Sequence, residues 1–162
     1  MPRSNHPQLR FGTNMQEVPP GFENLPTRSP FITMVGPFYG KRDGDGVIIG
    51  VLVEEKHCNT AGNLHGGLLS TLSDIALGNS VGVYLDKSHT GPPEKNGTPA
   101  IATVSLSSDF MGTARQGDWV EARASAQKVG GTLAYANVLI YREDEVIAKA
   151  SGIFRMVAGR PI

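Results

Sequence analysis

The chain reads as an α+β domain in which one long helix lies on one antiparallel sheet. Three observations predict this. A single long helical pattern runs from Gly66 to about Leu85. A β-branched run, Val47 to Glu55, comes before it. Four strand-like runs follow it, each bounded by polar or glycine-containing turns. One helix followed by consecutive strands favours helix-on-sheet packing over alternating βα units. At 162 residues the chain has the size of one domain.

The elements follow in order. Residues 1 to about 18 are polar, contain prolines and show no periodicity. They are expected to form a loose arm. Pro19-Pro20-Gly21-Phe22 suggests a turn into a short helical or irregular segment, with Phe22, Leu25, Phe31, Ile32 and Met34 as apolar anchors. Gly36-Pro37 and Gly40 break that pattern. An arm over 1–35 and a folded domain over 36–162 are therefore expected.

Within the helix, steps of about 100° per residue set Leu68, Leu72, Ile75, Ala76 and Val83 on one stripe. Asp74 falls on the far side, near Ser70, Gly78 and Val81. Asn79 falls on the apolar stripe without explanation. Asp86 to Pro99 reads as a loop. Ile101–Met111 alternates, with Val104, Leu106 and Phe110 opposite Thr103, Ser105, Ser107 and Asp109. Asp118–Lys128 alternates Val120, Ala122, Ala124 and Ala126 with polar residues. Thr132–Tyr141 is nearly all apolar, as a strand covered on both faces would be. Val146–Val157 closes the chain. Gly130-Gly131 marks a hairpin and Arg142–Glu145 a polar turn, so the last four strands are expected to form a meander.

Composition excludes several classes of function. The formal net charge is zero and like charges do not run together, so no field favours nucleic acid or an anionic membrane. Cys58 is the single cysteine and suits a reducing compartment. The first residues lack the apolar centre of a secretory signal, and Val47–Val53 is too short to span a bilayer. A soluble cytoplasmic protein is expected. No phosphate loop or dinucleotide fingerprint occurs, so no cofactor is expected. His57, Cys58 and His65 match no standard zinc spacing, so no metal is expected either.

The chemistry concentrates in Asn59-Thr60-Ala61-Gly62-Asn63-Leu64-His65-Gly66-Gly67, with Asp74 inside the helix. Gly66 and Gly67 open the helix, where free N–H groups and the helix dipole favour a developing oxyanion. They could equally ease a tight helix entry. A helical carboxylate is usually a solvated surface group. Asp74, however, has small neighbours and no Lys or Arg three or four residues away. Asn59 can hold a carbonyl or water through its amide. His65 can orient the loop or polarise a carbonyl, although a histidine beside a turn is more often structural. The Thr103 hydroxyl can orient water; an ordinary strand threonine is as good a reading.

Helix geometry adds a constraint. Gly66 and Asp74 are eight positions apart, about 12 Å along a helix. An oxyanion donor and a nucleophile must both lie about 3 Å from one reacting group. One helix cannot supply both. If both act, Asp74 serves the Gly66 of a second subunit, and two antiparallel helices about a two-fold axis make two equivalent sites.

Asn59-x-x-Gly62-x-x-His65-Gly66-Gly67 followed by Asp74 resembles the hotdog-fold acyl-CoA thioesterases, in the phenylacetate-pathway (PaaI-like) branch. Thr103-Val104-x-Leu106-x-x-Asp109-Phe110-Met111 with Gly117-Asp118 is similar to that family's second motif. The resemblance covers about Gly36 to Val157. It implies a sheet of about five strands wrapped around the helix, in a homodimer or dimer of dimers. It also implies Asp74 as nucleophile or base, Gly66 as oxyanion donor, Asn59 as a positioning group from the opposite subunit, His65 beside them, and Thr103 positioning water. Gly67, Ser70 and Gly62 are the candidate substrate contacts.

On this basis the expected reaction is hydrolysis of an acyl-CoA thioester. A thiolate is a good leaving group, which suits a site with a carboxylate and no evident acid. Two rivals keep the fold. An enoyl-thioester hydratase or dehydratase would need a differently placed His and Asp or Glu pair. A non-catalytic acyl-thioester binding module would bind without turnover. Phe31, Phe38 and Tyr39 are candidates for lining an acyl pocket; Arg115, Lys128 and Arg155 are candidates for the CoA phosphates.

Overall fold

The computed structural model describes residues 17–44, 46–88 and 100–157. The expected arm up to residue 16 and most of the Asp86–Pro99 loop lie outside the described residues.

Two short elements come first, β1 (Glu23–Asn24) and α1 (Pro30–Val35). Ser29 caps α1 by accepting from the Ile32 N–H, and Pro30 sits in its first turn, where no N–H is required. Leu25 and Ile32 pack on the core and Phe22 meets the Trp119 ring edge-on. Phe31 and Met34, expected as anchors, are instead 53% and 68% exposed. A helix this short has one inward side, and Ile32 and Val35 occupy it.

The remaining elements are β2 (Tyr39–Asp43), β3 (Gly46–Leu52), α2 (Gly66–Ser88), β4 (Ala100–Phe110), β5 (Trp119–Val129), β6 (Leu133–Arg142) and β7 (Glu145–Val157). The sheet has seven strands, in the order β1-β2-β3-β5-β6-β7-β4, rather than about five. All pairs are antiparallel. The additional strands are β1 and β2. The strand expected over Val47–Glu55 stops at Leu52, because Glu55–His57 turn into a 3₁₀ helix.

The expected meander is only partly right. β5, β6 and β7 are joined by the Gly130 turn, closed by Gly130 N–H to Leu133 O at 2.8 Å, and by the turn before Glu145. β4, however, pairs with β7 at the edge, and β5 pairs with β3. The segment between β4 and β5 crosses between them, and its tight turn, closed by Asp118 N–H to Arg115 O at 3.0 Å, leads into β5. Its start is held by Met111 and Gly112 N–H on Ile147 O, and its end by Gly117 N–H on Val53 O.

α2 packs against β3 through β7. Its buried arc is wider than one stripe. Leu69, Leu72, Ala76, Leu77 and Val81 are fully or almost fully buried. Val81, expected near Asp74 on the open side, is thus core, and Val83 is only half-buried. Ser73 and Ser80 are buried too. Their hydroxyls donate to Leu69 O and Leu77 O, so neither leaves an unpaired polar atom. A helix apolar on most sides carries little periodic signal, and the sheet encloses much of it.

β6 also departs from expectation. It alternates buried Ala134, Ala136, Val138 and Ile140 with outward Tyr135 and Leu139, which are exposed. One face of it is open.

Candidate active site

The site is built in two halves on one helix. The first half is the loop leading into α2. Asn59 Oδ1 accepts the N–H groups of Ala61 and Asn63, at 3.0 and 3.2 Å. Asn59 N–H donates to Asn63 O and Gly62 N–H to Asn59 O. Gly62 has φ of +76°, a left-handed conformation that disfavours a side chain. The carboxamide oxygen of Asn59 is therefore occupied, while its NH₂ remains available on an exposed residue. The loop is anchored through His65 N–H to His57 O and Leu64 N–H to Ala114 O.

His65 caps α2. Its Nδ1 accepts the Gly67 N–H at 2.8 Å, so in the neutral ring Nε2 carries the proton. A Cβ at Gly67 would lie 2.9 Å from that Nδ1, which explains why residue 67 lacks one. The two glycines thus differ. Gly67 N–H is taken by the cap. Gly66 N–H has no acceptor among the described residues and points out of the positive end of the helix.

The second half is two turns further along. Thr103 Oγ1–H donates to Asp74 Oδ1 at 2.7 Å. This contact joins the two residues assigned to the carboxylate and to water positioning. A bulge between Thr103 and Ser105 makes it possible. The alternation set Thr103 and Leu106 on opposite faces. One extra residue restores them to the same side, Thr103 toward α2 and Leu106 onto the core. Val104 is left exposed at the bulge.

Asp74 and Thr103 stand in an open cleft of about 680 Å³ along α2. Ile75, Gly78, Asn79 and Gly82 of α2 also line it, opposite Ile101 and the Leu25–Arg28 segment. Asn79, unexplained as a member of the apolar stripe, belongs to this lining; its amide donates to Ile75 O at 2.8 Å. A separate pocket of about 430 Å³ lies at the start of α2, lined by Phe31, Met34, His65, Gly67 and Thr71.

Other candidates divide between places. Ser70 lies on α2 one turn before Asp74 and is half-buried. Phe38 is core and Tyr39 leans on Trp119, so of the three aromatics only Phe31 lines a pocket near the helix start. Arg115 bridges to Asn63 beside the first half-site, whereas Lys128 and Arg155 sit on β5 and β7 outside the cleft lining. Arg28 and Arg42 do line the cleft, and no local motif marked them. No group of three or more possible metal ligands occurs among the described residues.

His57 ties the loop to α1. It is buried at 3% exposure. Nδ1 accepts the Glu54 N–H at 2.9 Å and Nε2–H donates to Val35 O at 2.8 Å. Lys56 Nζ donates to Gly36 O alongside. Burial holds the His57 imidazole below its usual value of 6.5, and Lys56 adds to that. The bond to Val35 and the charge of Glu54 act in the opposite direction.

One long helix packed on a single antiparallel sheet is the hotdog fold. Residues 61–149 match the model of the Thioesterase superfamily. A Pseudomonas aeruginosa protein named as a "putative esterase" is 36% identical over 143 residues, which is 88% of this chain and 99% of that protein. The chain belongs to the thioesterase superfamily. Human acyl-coenzyme A thioesterase 13 is 34% identical over 107 residues, covering 66% of this chain and 65% of that protein. Zebrafish thioesterase superfamily member 2 superposes with a TM-score of 0.66 at 25% identity, over 80% of this chain and 89% of that one. The Escherichia coli PaaI protein of the phenylacetic acid degradation operon shares the fold, with a TM-score of 0.67 at 17% identity over 82% and 87%. No described helix is long and apolar enough to cross a membrane.

Proposed function

We propose that the protein hydrolyses acyl-CoA thioesters at two equivalent sites of a symmetric dimer. The observation that carries this is the 2.7 Å bond from Thr103 to Asp74, eight positions from an unengaged N–H at Gly66. The bond fixes one carboxylate oxygen and leaves the other for chemistry.

The thioester carbonyl sits between Asp74 of one subunit and Gly66 of the other. In one route Asp74 takes a proton from water as the hydroxide attacks carbon. In the other the carboxylate attacks directly, and water later cleaves the mixed anhydride. Both place negative charge on the carbonyl oxygen, which the Gly66 N–H and the helix dipole stabilise. Both expel CoA thiolate and leave the free acid. Asn59, through its NH₂, and His65, through Nε2–H, are the further donors proposed for that oxyanion.

The free edge of β4 supports the dimer. β4 is 11 residues long and pairs with β7 on one side. Val104, Phe110 and Met111 are exposed along and just beyond it. A long edge with no partner among the described residues is a template for another strand. Pairing with β4 of a second copy about a two-fold axis would bring the two helices side by side. Neither His57 nor His65 is hydrogen-bonded to a carboxylate, which disfavours the hydratase alternative.

The test is thiol release from acyl-CoAs with short, medium, long and aromatic acyl groups, comparing the native protein with Asp74→Asn. Turnover that the substitution abolishes supports the reading. Equal turnover by the variant would remove Asp74 from the chemistry.

A further inference from the structure

The cleft beside Asp74 has a charged wall. Arg28, from the segment before α1, and Arg42, from β2, both line it. Both are exposed, and neither guanidinium forms an ion pair or hydrogen bond with a described residue. Asp74 is the single acidic residue in the described lining, and its Oδ1 is engaged by Thr103. The cleft thus presents two guanidinium groups against one carboxylate. An unpaired arginine beside a binding surface is suited to a planar anion, which its fork can hold through two hydrogen bonds.

The rest of the lining leaves room for a chain to approach them. Asp74, Gly78 and Gly82 follow one another at i+4 spacing on α2. A Cβ at Gly82 would meet nothing within 4 Å, so the helix surface is open there. From Asp74 to Gly82 the axis advances about 12 Å. That is the span of an acyl chain whose carbonyl lies at Asp74. The phosphates of CoA lie at the end of a longer pantetheine arm, on the other side of the reacting carbon.

We propose that Arg28 and Arg42 read a carboxylate at the far end of the acyl group. The substrates favoured are then CoA thioesters of dicarboxylic acids, over neutral thioesters of equal chain length. This specificity rests on the thioesterase reading above.

The experiment compares kcat/KM for adipyl-CoA with hexanoyl-CoA, and for suberyl-CoA with octanoyl-CoA. The native protein is measured beside Arg28→Gln, Arg42→Gln and the double variant. The expected result is a preference for the dicarboxylic member of a pair. Each substitution should lower that ratio by roughly tenfold, mainly through KM. The same pairs are then measured as N-acetylcysteamine thioesters, which carry no phosphate. The ratio and its loss should persist there.

Two results would overturn the proposal. One is a ratio that neither substitution changes. The other is a loss common to all CoA esters that vanishes on the truncated thioesters, which would assign the arginines to the CoA phosphates. No thiol release by the native protein from any thioester would instead refute the hydrolase reading, and this specificity with it.

Discussion

The two half-sites on α2 are built by opposite means. Around Asn59–Gly67, most polar groups are tied into the loop itself. Asn59 Oδ1 holds two N–H groups and His65 Nδ1 holds a third. The Gly66 N–H is what this frame leaves over. Around Asp74 a single threonine hydroxyl steadies the carboxylate, and the rest is open cleft. The first half is a fixed dipole needing no adjustment when charge appears. The second is a carboxylate facing an open cleft. Each is incomplete where the other is complete, and one straight helix holds them about 12 Å apart.

That contrast can be broken from either side. Asp74→Asn should have the largest effect, lowering kcat by about 10²–10⁴-fold, because it removes the proposed base or nucleophile. Thermal unfolding should show that the fold survives, since the group is only half-buried. An Asp74→Asn enzyme with native kcat would contradict the assignment.

Gly66→Pro attacks the other half. Proline is accepted at the first position of a helix; it deletes the N–H and adds a ring. The expected loss in kcat is about 10²–10³-fold. Gly66→Ala is its control. The added Cβ would meet the Phe110 ring at 3.5 Å, an ordinary contact, and the N–H is kept. If alanine and proline reduce kcat equally, the N–H is not the operative feature.

Thr103→Ala should cost less, roughly tenfold in kcat, from the loss of one hydrogen bond to a charged group. Thr103→Ser should recover most of it. A serine variant as impaired as alanine would mean that the methyl group, not the hydroxyl, positions Asp74.

How much of this was legible in sequence depends on how local each constraint is. The Asn59–Gly67 loop was legible because it is contiguous and its parts serve one another. Asp74 stood out through its small neighbours. The Thr103 contact was harder, because a bulge reverses the alternation between residues 103 and 106. β2 was missed because Tyr39-Gly-Lys-Arg-Asp carries almost no apolar pattern. It is held by its pairing with β3. Arg28 and Arg42 were invisible for the same reason. They come from separate segments, and only the folded sheet sets them against α2. The exposure of Leu139 and Val104 was also hidden, since an apolar run does not state which face is covered.

The smallest effect concerns the loop's support. The His57 imidazole is held below its usual value of 6.5, chiefly by burial. The folded state therefore favours the neutral ring. Its contribution to stability is complete above about pH 6.5 and is lost as pH falls through the lower folded value. The urea midpoint should fall between pH 7 and 5 more steeply than in His57→Gln, whose amide still offers one donor and one acceptor. Equal slopes would show that His57 does not titrate with unfolding.

The central claim is that each site takes Gly66 from one subunit and Asp74 from the other. Its most direct test mixes two inactive variants, Asp74→Asn and Gly66→Pro, by co-refolding at equal concentration. Random pairing makes half of the dimers mixed, and each mixed dimer has one intact site of two. Thiol release is expected to return to about a quarter of the native rate. A mixture that forms mixed dimers and stays as inactive as its components would contradict it.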